Sequence, residues 1–317
     1  MKSKMLTLFI ILLFTNALLA QSQVRFDTLQ VGAIKQVVSY TGNNNLPIIL
    51  FLHGGPGSSR MKQAAVFSNI LQKHFLVVQW DQRETGSTLA LNKSSVPITL
   101  DVMEDDTYEV INLLLKKFKQ KKLYLVGESW GTVLGFKMAQ KHPELLKAYI
   151  AFSPVVNQSE SEQILLDKLK LDAKEKGNDL EEKELSTVRI PYDNYQQVNY
   201  AKKWMLDYDG HPLPSEHLAA FANYIKDWSA TWLPLWNKVL QQNLSVELPK
   251  IKCPVYFFLG EKDLQTNFSI ANDYFKILKA PEKKLFSFKN AGHSVLTEEA
   301  ERVQHIIIDE ILKKAHP

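Results

Sequence analysis

The chain has 317 residues and is 45% hydrophobic by count, long enough to bury a large core in one large domain or two smaller ones. Its 38 basic and 34 acidic residues give a formal charge of +4, and the basic residues are scattered, which gives no footprint for nucleic acid. A single cysteine, Cys253, excludes an internal disulfide; it starts an apolar run and reads as a buried small hydrophobe.

Lys2 and Lys4 precede an almost unbroken apolar run, Met5 to Leu19, with Ala20 before Gln21. A basic start, a short apolar region and a small boundary residue describe a secretory signal spanning residues 1–20. The run is short for a membrane span, which needs about 20 residues, so an uncleaved anchor is the weaker reading. Cleavage after Ala20 leaves 36 basic against 34 acidic residues and predicts an exported chain, periplasmic or secreted, without stable membrane insertion. Gln23 to Tyr40 alternates loosely, as an edge hairpin does. Pro47 to Leu52 and Phe75 to Trp80 read as strands, with a glycine loop and a helical stretch, Met61 to Gln72, between them. Thr99 to Phe118 has helical spacing, and the lysines from Lys116 to Lys122 suit its solvated carboxyl-terminal end. Leu123 to Val126 and Ala148 to Phe152 are further strands. Val255 to Leu259 and Lys284 to Phe288 follow much later, each with a helical pattern behind it, Ser269 to Leu278 and Glu298 to Lys314.

Strands alternating with helices predict an α/β fold with a mostly parallel sheet covered on both faces. One segment breaks the rhythm. Between Ser153 and Cys253 there is no convincing buried strand, only charged helical stretches (Ser161 to Lys176) and aromatic-rich ones (Phe221 to Trp236). This predicts a helical lid over residues 154–250, inserted into a core made of residues 21–153 and 251–317. Insertions in such sheets emerge beside the strand carboxyl ends, where ligands bind. Glu181 to Glu184 reads as a solvated turn or helix face.

The stretch Gly127-Glu128-Ser129-Trp130-Gly131 fits G-x-S-x-G, a match that arises by chance in about one chain in ten of this length. Its context is more specific. A short apolar strand precedes it and a helical pattern (Val133, Phe136, Met138, Ala139) follows, the order a nucleophile elbow needs. A serine hydroxyl needs a base, and the base needs orienting. In such a sheet the acid follows a late strand and the histidine follows the last one. Asp263 stands directly after Val255 to Leu259, and His293 directly after the final strand. Glu261, Asp273 and Asp81 are rivals for the acid. An oxyanion needs donors. The backbone N–H of Trp130 is one candidate, and the loop His53-Gly54-Gly55-Pro56-Gly57 offers Gly55, with Gly54 next.

With HGGPG, then WDQRETGST and GESWGT, and GEKD and AGHS behind them, the chain resembles the alpha/beta-hydrolase fold. More narrowly, it resembles the proline iminopeptidase branch, whose pattern is HGGPG, DQRG-x-G-x-S and G-x-S-W-G. The match runs from about Leu46 to the C-terminus, with the lid too divergent to align. The resemblance implies Ser129 as nucleophile, His293 as base and Asp263 as its partner. It also implies that the turn Asp81-Gln82-Arg83 supports the oxyanion loop. The chain departs from the pattern at Glu84, where glycine is usual, at Thr88, where serine is usual, and at Glu128, which replaces a small or neutral residue. Glu128 reads as a buried structural carboxylate paired with a base, with Arg83 as the candidate.

The implied reaction is acyl transfer to water, with no metal and no cofactor; the eight histidines are dispersed and HEXXH is absent. The family suggests release of N-terminal proline or a similar residue from short peptides. A cationic amine would then need a carboxylate, and the lid offers Glu160, Glu162, Asp167, Asp207 and Asp209. Trp204, Tyr208, Trp228, Trp232 and Trp236 either line a pocket for a proline ring or form lid core. The rivals are an esterase or lactonase on the same triad, and a catalytically silent binding protein that kept the fold.

Overall fold

The apolar runs become one eight-stranded sheet in a computed structural model that describes residues 23–313. The expected signal segment, residues 1–20, lies outside the described residues. In chain order the strands are β1 (Arg25–Val31), β2 (Ile34–Thr41), β3 (Ile48–Leu52), β4 (Leu76–Trp80), β5 (Leu123–Glu128), β6 (Leu146–Phe152), β7 (Val255–Gly260) and β8 (Lys283–Phe288). Across the sheet they run β1-β2-β4-β3-β5-β6-β7-β8. The β1–β2 hairpin is antiparallel and β2 joins β4 antiparallel; every later pairing is parallel. Side chains alternate across a strand. On β3, Ile48, Leu50 and Leu52 enter one core while Ile49 and Phe51 enter the other. Both faces are thus apolar, which is why helices cover both.

The helices are α1 (Ala64–Ser68), α2 (Gly86–Leu91), α3 (Leu100–Lys117) and α4 (Trp130–Lys141), then α5 (Gln158–Lys176), α6 (Asp179–Ser186), α7 (Tyr195–Tyr208), α8 (Leu218–Val239) and α9 (Leu244–Glu247) between β6 and β7. After β7 comes α10 (Phe268–Ile277), and after β8 come α11 (Val295–Glu298) and α12 (Ala300–Ile306). The arrangement is the mostly parallel sheet expected from the alternation of strands and helices, in the alpha/beta-hydrolase architecture that the resemblance implies.

Two helical stretches differ from expectation. The stretch Met61 to Gln72 is α-helical only over α1 and resumes as a 3-10 turn at Leu71–Lys73; between them Gln304 of α12 accepts the N–H groups of Ile70 and Leu71 at 2.8 and 3.3 Å. The stretch Glu298 to Lys314 breaks after α11, and its later part winds as a π-helical run, Ile307–Leu312. Of the two readings of Glu181 to Glu184 the helix face holds, within α6, with Glu182 and Lys183 exposed; Glu181, however, is buried, and Glu184 accepts from Trp204 Nε1 at 2.7 Å and pairs with Lys203. Sequence reading also passes over α7, although Val198, Ala201 and Met205 stand at helical spacing and are buried there.

One buried ion pair ties the antiparallel end to the parallel sheet. Arg83 follows β4, and its guanidinium donates to both carboxylate oxygens of Asp106 on α3, at 2.8 and 2.7 Å. It also donates to Gly32 O, in the β1–β2 turn, at 3.0 Å. The two side chains are 1% and 2% exposed. Removing one member of such a pair strands the other charge away from water. Asp106→Ala is expected to lose about 3–5 kcal/mol of stability, read as a lowered urea midpoint.

Candidate active site

Ser129 sits on the turn between β5 and α4, with φ 50° and ψ −118°. That is the left-handed region, sparsely populated for a residue with a side chain. The surroundings hold it there: its N–H donates to Phe152 O of β6 at 3.0 Å, and its carbonyl accepts from Thr132 N at 2.8 Å. The flanking glycines are required by space. A Cβ on Gly131 would lie 2.0 Å from Leu52 O, and one on Gly127 would lie 2.7 Å from Gly131 O. With no side chains there, α4 packs directly on the ends of β3 and β5.

The structure brings Ser129, His293 and Asp263 together from three strand ends. The Ser129 hydroxyl lies 3.0 Å from His293 Nε2, and His293 Nδ1 lies 2.9 Å from Asp263 Oδ2. Asp263 is buried and accepts from the N–H groups of Gln265 and Thr266, at 2.9 and 3.0 Å, and from the Thr266 hydroxyl at 2.7 Å. It thus caps its own turn and meets the histidine as well, two roles that the sequence presented as alternatives. Burial opposes its charge, but His293 and these bonds prevail and hold its pKa down to about 2. Burial likewise opposes a protonated His293, yet the charge and hydrogen bond of Asp263, helped by Glu128, raise its pKa above 6.5; Lys202 pulls the other way. Of the rival acids, Glu261 and Asp273 are exposed. Asp81 is buried, but it accepts from Ser59 Oγ and from Ser87 N.

The glycine loop and the Asp81-Gln82-Arg83 turn meet beside this group. Gly54 lies close enough to Ser129 that an added Cβ would come within 3.3 Å of the serine Cβ. Gly55 has φ +116°, which favours glycine. Trp130 is the first residue of α4, so its N–H has no acceptor within the helix. Gln82 bridges the two parts: its Nε2 donates to His53 O at 3.2 Å, and its Oε1 accepts from Trp130 Nε1 at 2.9 Å. His53 is buried, and burial drives its pKa down to about 4, so it packs uncharged. Thr88 fills its position well, donating to Asp81 O at 2.6 Å and accepting from Val37 N at 2.8 Å. Glu84, at φ 55°, keeps the turn that glycine would make, with its carboxylate accepting from Ser94 N.

One expected pairing is corrected. Glu128 is buried, but its partner is Arg60, not Arg83. Arg60 Nε and an η nitrogen donate to the two Glu128 oxygens at 3.0 and 2.8 Å. Arg83 is committed to Asp106 on the far side of its turn, whereas Arg60 lies just past the glycine loop. Nothing in the sequence signals Arg60. Thr266, three residues beyond Asp263, is signalled only faintly, and two other supports of the histidine loop are not signalled at all. Those are Ser153, whose hydroxyl donates to His293 O at 2.7 Å, and Glu298, which accepts from Gly292 N at 2.7 Å.

A cavity of about 430 Å³ opens beside Gly55 and Pro56, roofed by α7 and α8. Of the five aromatic candidates only Trp228 lines it, with its Nε1 donating to Pro56 O at 2.9 Å. Trp232 packs on Gly57, where a Cβ would come within 2.6 Å of its Nε1. Trp236 is buried and bonds Glu162 at 3.0 Å, Trp204 bonds Glu184, and Tyr208 lies under Lys168. None of the five lid acids lines the cavity. Glu162 faces a neighbouring space of about 10 Å³, which holds no more than a water.

The family model described as "alpha/beta hydrolase fold" matches residues 47–300. A probable aminopeptidase of Bacillus subtilis is 26% identical over 86% of this chain and 91% of its own length. A proline iminopeptidase of Heyndrickxia coagulans is 25% identical over 82% of this chain and 89% of its own. Among solved structures, a bacterial membrane phospholipase A superposes with a TM-score of 0.63 at 19% identity, covering 98% of this chain and 99% of that one.

The charges around His293 set a direct test. By NMR its imidazole is expected to titrate above pH 6.5. In Asp263→Asn the favourable charge is gone, burial gains the upper hand, and the pKa is expected to fall.

Proposed function

Because the chain belongs to the alpha/beta hydrolase fold family, we propose that it is a serine hydrolase whose substrates are short peptides, from which it releases an N-terminal proline or similar residue. The observation that carries the hydrolase reading is the contact of Ser129 Oγ with His293 Nε2 at 3.0 Å, with Asp263 behind the imidazole. In this reading His293 accepts the Ser129 proton as the hydroxyl attacks the scissile carbonyl. The backbone N–H of Trp130 and that of Gly55, or Gly54, stabilise the oxyanion. The imidazolium then gives its proton to the leaving amine, and the freed imidazole activates the water that releases the acyl group from Ser129. Asp263 fixes the tautomer and stabilises the imidazolium. The peptide part of the proposal is supported by the similarity to a probable aminopeptidase and a proline iminopeptidase, both along most of their length. The segment from Lys2 to Ala20 supports a site of action outside the cytoplasm.

Assay of prolyl-2-naphthylamide beside a short acyl ester tests this. The amide is expected to be hydrolysed, and Ser129→Ala is expected to lower kcat/KM by roughly 10³-fold or more. Turnover of the ester alone would overturn the peptidase assignment. A folded protein that a fluorophosphonate fails to label would overturn the hydrolase reading. Catalysis needs neutral His293, whose pKa is raised, so the acid limb of the kcat/KM profile is expected above pH 6.5.

A further inference from the structure

The cavity beside the glycine loop is bounded by Gly55 and Pro56 on one side, by Gln265 from the Asp263 turn, and by Lys202, Phe221 and Trp228 from the insertion. At about 430 Å³ it is the size of a small-ligand site. Among the described residues that line it, Lys202 is the one charged side chain. The other charges nearby are matched: Glu128 by Arg60, Asp263 by His293, and Lys203, next in sequence, by Glu184. Lys202 is half-buried and has no ion pair or hydrogen bond among the described residues. Glu162 and Lys202 both line the neighbouring small space, but no ion pair joins them; Glu162 Oε1 accepts from Trp236 and Gln158. The charge of Lys202 is felt at the imidazole of His293, which places the ammonium within electrostatic reach of the proposed reaction centre.

We propose that Lys202 is a specificity-determining residue that receives a carboxylate of the substrate, so that the site favours small substrates with a free carboxylate near the scissile carbonyl. An ammonium drawn partly out of water without a counterion is costly, and a substrate carboxylate offsets that cost with a charge-assisted bond. The flexible four-carbon stem lets the ammonium follow the ligand. The natural ligand named here rests on the peptidase reading: the carboxylate is then the C-terminus of a di- or tripeptide, held on the leaving side. Longer peptides and amidated ones lose that contact.

Three matched substrate pairs test the proposal. Prolylglycine against prolylglycinamide reads the peptide. The butyrate ester of 4-hydroxyphenylacetic acid against that of its methyl ester places the carboxylate on the leaving side. 4-Nitrophenyl monoadipate against its methyl ester places it on the acyl side. Wild type is expected to favour the charged member of the peptide and leaving-side pairs by roughly tenfold or more in kcat/KM. In Lys202→Met the ratio should fall to about one, and in Lys202→Glu it should invert. Lys203→Met, which removes a lysine already paired with Glu184, should keep the wild-type ratio. A preference seen only in the acyl-side pair would overturn the leaving-side placement. Equal rates in every pair, or a preference that survives Lys202→Met, would overturn the assignment of Lys202. If neither peptide is cleaved but the ester pair shows the Lys202-dependent preference, the peptidase reading fails and the carboxylate site stands.

Discussion

The close approach of α4 to the carboxyl ends of β3 and β5 is the constraint on which the site depends. It is possible only because Gly127 and Gly131 carry no side chain; the carbonyl of Leu52 occupies the place a Cβ on Gly131 would take. The same approach forces Ser129 into a left-handed conformation and raises it above the sheet edge. From there every other loop can reach it. Gly54 and Gly55 leave β3, the Gln82 turn leaves β4, Asp263 leaves β7 and His293 leaves β8, and all end at one edge because those strands are parallel. Had β7 or β8 run the other way, Asp263 and His293 would end on the opposite edge.

The charges near this edge are arranged in layers. Arg83 and Asp106 are fully buried and hold the scaffold behind the glycine loop. Arg60 and Glu128 bridge the segment after the glycine loop to the residue before Ser129. Glu128 lies near enough to the imidazole to add to the effect of Asp263 on His293. Lys202 has no ion pair among the described residues, and it is the one charged side chain that lines the open cavity.

Much of this was legible in the sequence. Period-two alternation and short apolar runs located the strands, since a strand buried on both faces has no other way to be written. Ser129, Asp263 and His293 were legible because the order of strands dictates where their loops must fall. What escaped were contacts between segments distant in the chain. Gln304 breaking the helix before Leu71, and Arg60 rather than Arg83 reaching Glu128, depend on which loops lie side by side in space. Helix α7 escaped because its buried positions are mixed with tyrosines and lysines, and its apolar stripe faces other helices of the insertion rather than the sheet.

The insertion is not simply a cover laid over a finished site. Trp228 donates to the carbonyl of Pro56 and Trp232 packs on Gly57, so α8 holds the loop that carries the proposed oxyanion donors. A helix that bound the loop loosely would let its N–H groups wander, and preorganised donors lose most of their value when they must be reoriented during the reaction. Gly57 has φ +84° and no room for a side chain, so the contact with Trp232 is made by the backbone itself. The helices that shape the cavity are thereby coupled to the donors that serve the chemistry. Lys202 on α7 shares the cavity with Trp228 on α8. In the proposed reading, a carboxylate held by Lys202 rests on a helix packed against α8, so the cavity and the glycine loop share one layer of packing.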